Sequence, residues 1–426
     1  MTYDLDFAVA GGGPAGTSAA ITLKQHGHSV VLFERETFPR FHIGESLLST
    51  ANEAFVKLGV AERMAAASFP EKWGARLLTH DGQSGRGVDF ASVTEVMRPQ
   101  TYQVPRAEFD RILLERAREV GVDVREAHRV NSVDFTPEAA TIDVTGPNGD
   151  TKRIGVRALV DATGRFGLVA KKFNLRSDEP RLANVAVFSH YTGVPRLEGD
   201  RPNDIRIIAR ADSGWFWLIP ISQELMSVGV VIPRNLLLQM PAATNEERLD
   251  MAIADTPVVA DLMKNAKREW PVRVEKDFSY SASKYAGDRW ILAGDAGSFL
   301  DPVFSTGVSI AMESGIEAAD ELHRALQRND FSERAFAAYS KRSRKRFESF
   351  RRFVIGFYTP QFRDLFFDPE PPETIFQAVV TVLAGRWDAS LRTRVLNRLF
   401  FLLVAMQKRF SFSLARFRRD ATAGYP

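Results

Sequence analysis

Asp6 to Glu34, DFAVAGGGPAGTSAAITLKQHGHSVVLFE, decides how the chain is read. It predicts a strand, a glycine-rich turn, a helix opened by Pro14 and Ala15, and a second strand ending in an acid. Gly11, Gly13 and Gly16 supply G-x-G-x-x-G. The first permits the tight turn, the second lets backbone approach a pyrophosphate, and the third lets the helix pack on its strand. The free N–H groups and dipole of that helix face the turn, so an anion is favoured there. Glu34 stands 23 residues after Gly11, close to the spacing of an acid that binds a ribose hydroxyl. A ligand-free glycine turn would require neither the second strand nor its terminal acid.

Composition bounds the rest. With 426 residues, 45% hydrophobic and 26% charged, the chain has an ordinary globular make-up and length for two or three domains. It has no cysteine, which excludes disulfides and thiolate chemistry and suits a reducing cytoplasm, the expected location. Its 7 histidines form no H-x-x-x-H or H-E-x-x-H cluster, so no metal site is expected. No basic segment or cleavage motif precedes the first strand, so no secretory signal is expected. The longest apolar run, Leu399 to Met406, is too short to span a bilayer. The net charge of +3 hides an asymmetry: Phe331 to Pro426 holds 18 Lys+Arg against 8 Asp+Glu, or +10, leaving −7 on residues 1–330. Nucleic-acid binding is therefore not expected.

Beyond Glu34, FPRFHIGESLL (Phe38 to Leu48) reads as a loop stiffened by Pro39, with Glu45 and Ser46 opening a helix to about Leu58. FPEKWGARLL (Phe69 to Leu78) is a loop entering a strand. Arg106 to Val122 carries Phe109, Ile112, Leu113 and Ala117 at helical spacing. Strands are expected at about Val122 to Val133 and Ala140 to Val144, with a hairpin turn at Gly146 to Gly149, and again at ALVDATG, Ala158 to Gly164. Leu182 to Val231 reads as several strands, the last of which, SGWFWLIPI, puts Trp215 and Trp217 on one face. Trp290 to Gly315 is a buried strand, a loop and a helix starting near Gly307. From Phe331 the sequence turns helical, basic and aromatic, with Pro369, Pro371 and Pro372 marking a loop between two halves.

Trp215, Phe216, Trp217, Leu218, Ile219 and Pro220 fit W-x-W-x-I-P in full, and Lys72, Trp73, Gly74 and Ala75 fit K-x-G-A. On these motifs, and on the glycine turn, residues 1–330 resemble flavin-dependent halogenases of the phenol and pyrrole type, within the FAD-dependent monooxygenase superfamily. The resemblance implies an α/β fold: an FAD-binding domain of the hydroxylase type (about 1–70, 100–178 and 275–330), an inserted mostly β substrate layer (about 71–99 and 179–274), and a helical basic C-terminal region (331–426). It assigns FAD contacts to Gly11, Gly13, Pro14, Ala15, Gly16, Glu34, Arg35 and Arg40. Further contacts fall on a strap of Ile43, Gly44, Glu45 and Ser46, on Arg106 and Val130, on Ala162, Thr163 and Gly164, and on Asp295, Gly307 and Val308. Halide falls to Thr306 and Gly307. Lys72 becomes the catalytic lysine; Trp215 and Trp217 become a wall between flavin and substrate, with Phe304 where tryptophan halogenases carry glutamate.

The chemistry so implied starts from reduced FAD, delivered by a separate reductase, with O2 and chloride or bromide. Hypohalous acid then reaches Lys72, and an electron-rich phenol or pyrrole, free or tethered to an acyl or peptidyl carrier protein, takes the halogen. Aromatic hydroxylases and prenyl reductases share the FAD motifs but need neither Lys72 nor the tryptophan pair; a flavoprotein that binds the cofactor as a structural or carrier-docking component without turnover would likewise need only the FAD motifs. Lys341 to Arg352, with seven basic residues and one acid, is expected to point part of its charge to solvent. It is either a plain solvated surface or one that steers an acidic carrier through Arg344, Lys345 and Arg346. Leu399, Phe400, Leu402 and Leu403 are expected to pack as core or as a dimer face.

Overall fold

The structure, a computed structural model, describes residues 3–276, 279–368 and 372–410. Pro369, Pro371 and residues 411–426 of the C-terminal region lie outside the described residues. The opening stretch folds as read: β1 (Leu5–Ala10), α1 (Pro14–Gln25) and β2 (Val30–Phe33). FAVA and VVLF are continuous apolar runs because both faces of these strands are covered, as in a parallel sheet. β1 lies between β2 and Thr151–Asp161, all parallel, and the sheet continues to Trp290–Leu292 on one side and Asp123–Arg125 on the other. The hairpin Arg129–Phe135 and Ala140–Thr145 joins it antiparallel.

α1 packs against the long helix Gly307–Arg328, and the two approach closely where Gly315 faces Ala15. A Cβ on Gly315 would overlap the Ala15 carbonyl oxygen. That seam brings both helix N-termini, at Gly13 and at Thr306, to one side of the molecule.

A second sheet runs Lys267–Arg268, Asn184–Thr192, Met226–Pro233, Trp215–Pro220, Ile205–Ala209, Gly74–Leu78 and Gly85–Asp89. The helices Ala337–Phe357, Pro360–Phe366, Glu373–Leu383 and Leu391–Phe410 follow. Phe347, Phe350, Phe357, Phe362, Phe366 and Phe400 share one buried cluster with Trp215 and Trp217. The helical region thus supplies one wall of the second sheet's core.

Four local expectations are corrected. Glu45 and Ser46 do not open a helix, which starts only at Ala51. Their backbone is drawn out by pairing with another segment: Val104 N–H donates to Glu45 O (2.7 Å), Leu47 N–H to Tyr102 O (3.1 Å), and Ser46 bridges Gln103. The helix from Arg106 ends at Glu119, because Gly121 turns at φ +90°. The strand expected over Val122 to Val133 divides at Glu126 to His128, where Ala127 has φ +53° and His128 N–H caps the end of β2 at Glu34 O.

The fourth correction concerns Arg346. Lys341, Arg344 and Lys345 are exposed as expected. Arg346 is 1% exposed, ion-paired with Glu317 (2.6 Å) and Glu313 (3.2 Å) of the long helix. It locks two helices together and offers nothing to a partner. Of the four apolar residues, Phe400 is core and Leu403 half-buried, whereas Leu399 and Leu402 are exposed.

Candidate active site

The N-terminal ends of α1 and of Gly307–Arg328 open on one cavity of about 470 Å³ between the two sheets. Its walls gather the predicted residues from across the chain. The turn gives Gly11, Gly13, Pro14 and Ala15, and the end of β2 gives Glu34, Arg35 and Arg40. The strap gives Ile43, Gly44, Glu45 and Ser46; then come Arg106 and Val130, and next Ala162, Thr163 and Gly164. Asp295, Gly307 and Val308 line it from the third segment, and Trp215 and Trp217 close it from the second sheet.

Gly16, Lys72, Phe304 and Thr306 stand behind the wall. Gly16 serves packing, since a Cβ there would overlap the Gly11 carbonyl oxygen. Phe304 packs edge-on against Phe357 and Phe366, with ring centroids 5.8 and 6.0 Å away. Thr306 is buried as the residue before the long helix, while its neighbours Ser305 and Gly307 face the cavity.

The glycines divide by what they avoid. Gly11, at φ +106°, lies against the backbone of Ala162. Gly13 has an ordinary φ of −73°, and a Cβ there would meet only the Arg40 guanidinium, at 3.5 Å. The folded protein leaves space at Gly13 that a side chain would fill. An anion cradled by the α1 N-terminus needs that space, so the residues present fit the pyrophosphate of a dinucleotide. Glu34 is held at the turn by Gly12 N–H (2.7 Å) and Glu36 N–H (2.9 Å). Arg106 is fixed by Asp110 and donates to the Ile43 carbonyl (2.6 Å), tying the strap down. Burial, aided by the Arg106 charge, lowers His42 to about 4, so it is neutral. Burial raises Asp295 to about 6, against the pull of Arg106 and Arg165.

Lys72 is 1% exposed. Its Nζ donates to Ser46 Oγ and to Leu47 O, both at 2.8 Å, and lies 5.4 Å from the Phe90 ring centroid. Burial lowers it to about 7; Asp204, which accepts from Trp73 and Gly74 N–H at 2.7 and 2.8 Å, opposes this. Lys72 is thus an amine half-neutral near neutral pH, joined to the cavity through the one side chain of Ser46.

Several residues escaped the sequence reading. Trp215 Nε1–H donates to Tyr358 Oη (2.8 Å), whose O–H donates to Asp301 Oδ2 (2.7 Å), which also accepts from Asn184 (3.0 Å). Tyr358 therefore fastens the tryptophan wall to the loop before the long helix. His190 Nε2 meets the buried Glu45 carboxylate at 2.8 Å and holds the strap from the second sheet. Tyr358 stands 143 residues from Trp215 and His190 stands 145 from Glu45; no periodicity links them. Asp301 alone carried a signal, as the acid opening DPVFSTG.

The FAD binding domain family matches residues 4–353. The chlorinase of Pseudomonas fluorescens that acts on 1H-pyrrole-2-carbonyl-[peptidyl-carrier protein] is 29% identical, covering 95% of this chain and 94% of its own. Flavin-dependent halogenase armH3 of Armillaria mellea is 33% identical, over 83% of this chain and 74% of its own. The solved flavin-dependent brominase Bmp2 superposes with TM-score 0.82 at 28% identity, covering 95% and 99% of the two chains. The chain belongs to the flavin-dependent halogenases, and it is an FAD- and halide-using oxidoreductase.

Proposed function

We propose that the protein halogenates an electron-rich aromatic, a phenol or a pyrrole, through Lys72, and that a carrier-tethered acyl aromatic is its substrate. The observation that carries this is the buried Lys72 amine, poised near neutrality and bonded to Ser46 on the cavity wall. When bound, reduced FAD from a separate reductase would supply with O2 the oxidising equivalent that turns halide into hypohalous acid.

The chain's own residues then divide the work. Gly11, Gly13, Pro14 and Ala15 receive the pyrophosphate, Glu34 a ribose hydroxyl, and Arg35 and Arg40 the flank of the same site. The strap Ile43, Gly44, Glu45 and Ser46, with Arg106, Val130, Ala162, Thr163, Gly164, Asp295 and Val308, encloses the remainder. Gly307 presents a backbone N–H at a helix N-terminus, where halide is favoured, with Thr306 shaping the turn before it. Trp215 and Trp217, ring centroids 5.8 Å apart, keep the aromatic substrate off the flavin, and Phe304 buttresses that wall from behind. Residues 1–330 form the catalytic unit, and the helices Ala337–Phe357, Pro360–Phe366, Glu373–Leu383 and Leu391–Phe410 cover it.

Neutral Lys72 serves in one of two ways. It takes the halogen on Nζ, water leaving, and passes it to the ring while the ring proton is lost and the amine is restored. Or it donates an N–H to hypohalous acid and polarises it toward the ring. Both need an unprotonated or readily relaying amine, which burial provides. The carrier reading rests on the relatives that act on pyrrole-2-carbonyl carriers and on the exposed Lys341, Arg344 and Lys345, which suit an acidic partner.

The test is Lys72→Met with reductase, O2, bromide and both a free phenol and a pyrrolyl carrier. Product should fall by at least about a hundredfold while FAD binding and peroxide release persist. Near-normal bromination, or loss of flavin, would refute the role. Faster turnover of the free aromatic than of the tethered one would remove the carrier.

A further inference from the structure

The terminal helix Leu391–Phe410 turns an unusual face outward. Leu391, Val395, Leu399, Leu402, Met406 and Phe410 are between 38% and 69% exposed. At helical spacing they fall within an arc of about 100°, a straight apolar stripe roughly 30 Å long. The opposite side is satisfied: Thr393, Asn397, Phe400 and Gln407 are buried, with Asn397 and Gln407 bonded to Ala378 O and Gln361 O. The stripe is therefore additional to the core contact of this helix.

Charge narrows what can cover it. Arg392, Arg394, Arg398, Lys408 and Arg409 are all exposed, and Leu391–Phe410 contains no acid. Arg392 flanks the stripe on one side and Arg394 and Arg398 on the other, by helical position. A second copy of the same helix would set these like charges against each other. Residues 411–426, by sequence, add Arg416, Arg418 and Arg419 against Asp420 alone, so the chain's own end carries the same sign. A flat partner with an apolar interior and an anionic rim suits a single convex helix bordered by cations on both sides.

We propose that Leu391–Phe410 is an interfacial helix that lays this stripe on an anionic lipid bilayer. The apolar side chains enter at the level of the acyl boundary and the arginines meet headgroup phosphates. No helix among the described residues is long and apolar enough to cross a membrane, so the attachment is peripheral. It is independent of the carrier reading, whose basic residues lie on Ala337–Phe357.

The test uses the FAD-loaded full chain with vesicles of phosphatidylcholine, with and without phosphatidylglycerol. The protein should sediment with the anionic vesicles only, less so as salt rises. Arg392→Glu/Arg394→Glu/Arg398→Glu should weaken that partition by roughly a hundredfold or more. Leu399→Asp/Leu402→Asp should abolish it, with halogenation of a soluble phenol and the unfolding temperature unchanged. Absence of sedimentation, equal binding to neutral vesicles, or indifference to both variants would overturn the proposal. So would a solution dimer dissolved by Leu399→Asp/Leu402→Asp, or an acidic protein bound through these residues without vesicle binding.

Discussion

The two ends of the cavity are built by different means. Around the glycine turn the walls are mainly backbone: helix N–H groups, a carboxylate pinned by two amides, and glycines that make room for the Ala162 backbone or leave open space. Around the tryptophans the walls are side chains from four distant segments, interlocked by rings and by the Trp215–Tyr358–Asp301 relay. The first construction is mostly local in sequence and has no room for a side chain at Gly11 or Gly16, though it has at Gly13. The second is long-range and tolerates a change of shape more readily than the loss of a hydrogen bond.

The comparison breaks most sharply at the glycines. Gly16→Val should leave no folded protein, since the Gly11 carbonyl occupies the site of its Cβ. Gly13→Val should fold with an unchanged far-UV spectrum and yet bind FAD more than about a hundredfold more weakly, because only a ligand needs that space. Titration of the apoprotein with FAD, beside a thermal melt, distinguishes them; equal damage in both would erase the division drawn here.

At the aromatic end, Tyr358→Phe keeps the ring and deletes the relay. Buried groups left unpaired cost about 1–3 kcal/mol. Halogenation should fall about tenfold and the melting temperature should drop, with FAD affinity unaltered. A variant that loses flavin first would make the relay part of the cofactor end.

The smallest effect is one of pH. The Lys72 amine is lowered from 10.5 to about 7 by burial, so between those values the unfolded chain holds a proton that the folded chain lacks. Stability therefore rises with pH across that window, and the halogenation rate should show an acid limb near 7. Lys72→Met should flatten that part of the stability curve, as urea titrations at several pH values would record; an unchanged slope would place the amine in water.

The same contrast explains what the sequence made legible. The strand-to-helix order and the meeting of Gly11, Gly13 and Glu34 at one end of a cavity were readable because turn, helix N-terminus and second strand lie within one short segment. The tryptophan pair was readable only through its likeness to a family, since two aromatics on one face of a strand are ordinary core. Lys72 was singled out by that likeness too, but its place behind Ser46 was not legible, because a strap expected to be helical is held extended by residues 102–104. Arg346 was misread as surface, since a basic run gives no sign that one member faces Glu313 and Glu317 on another helix.

The seam between Ala15 and Gly315 sets an order of events on the ribosome. The glycine turn and α1 leave the ribosome before the helix that packs on them, which arrives about 300 residues later. At roughly 5–20 residues per second, that is a wait of roughly 15–60 s. Throughout it, the flank of α1 at Ala15 and Ala19 is uncovered. On the reading proposed above, cofactor capture at this turn waits for the long helix Gly307–Arg328, and a nascent chain stalled before it would lack one side of the seam.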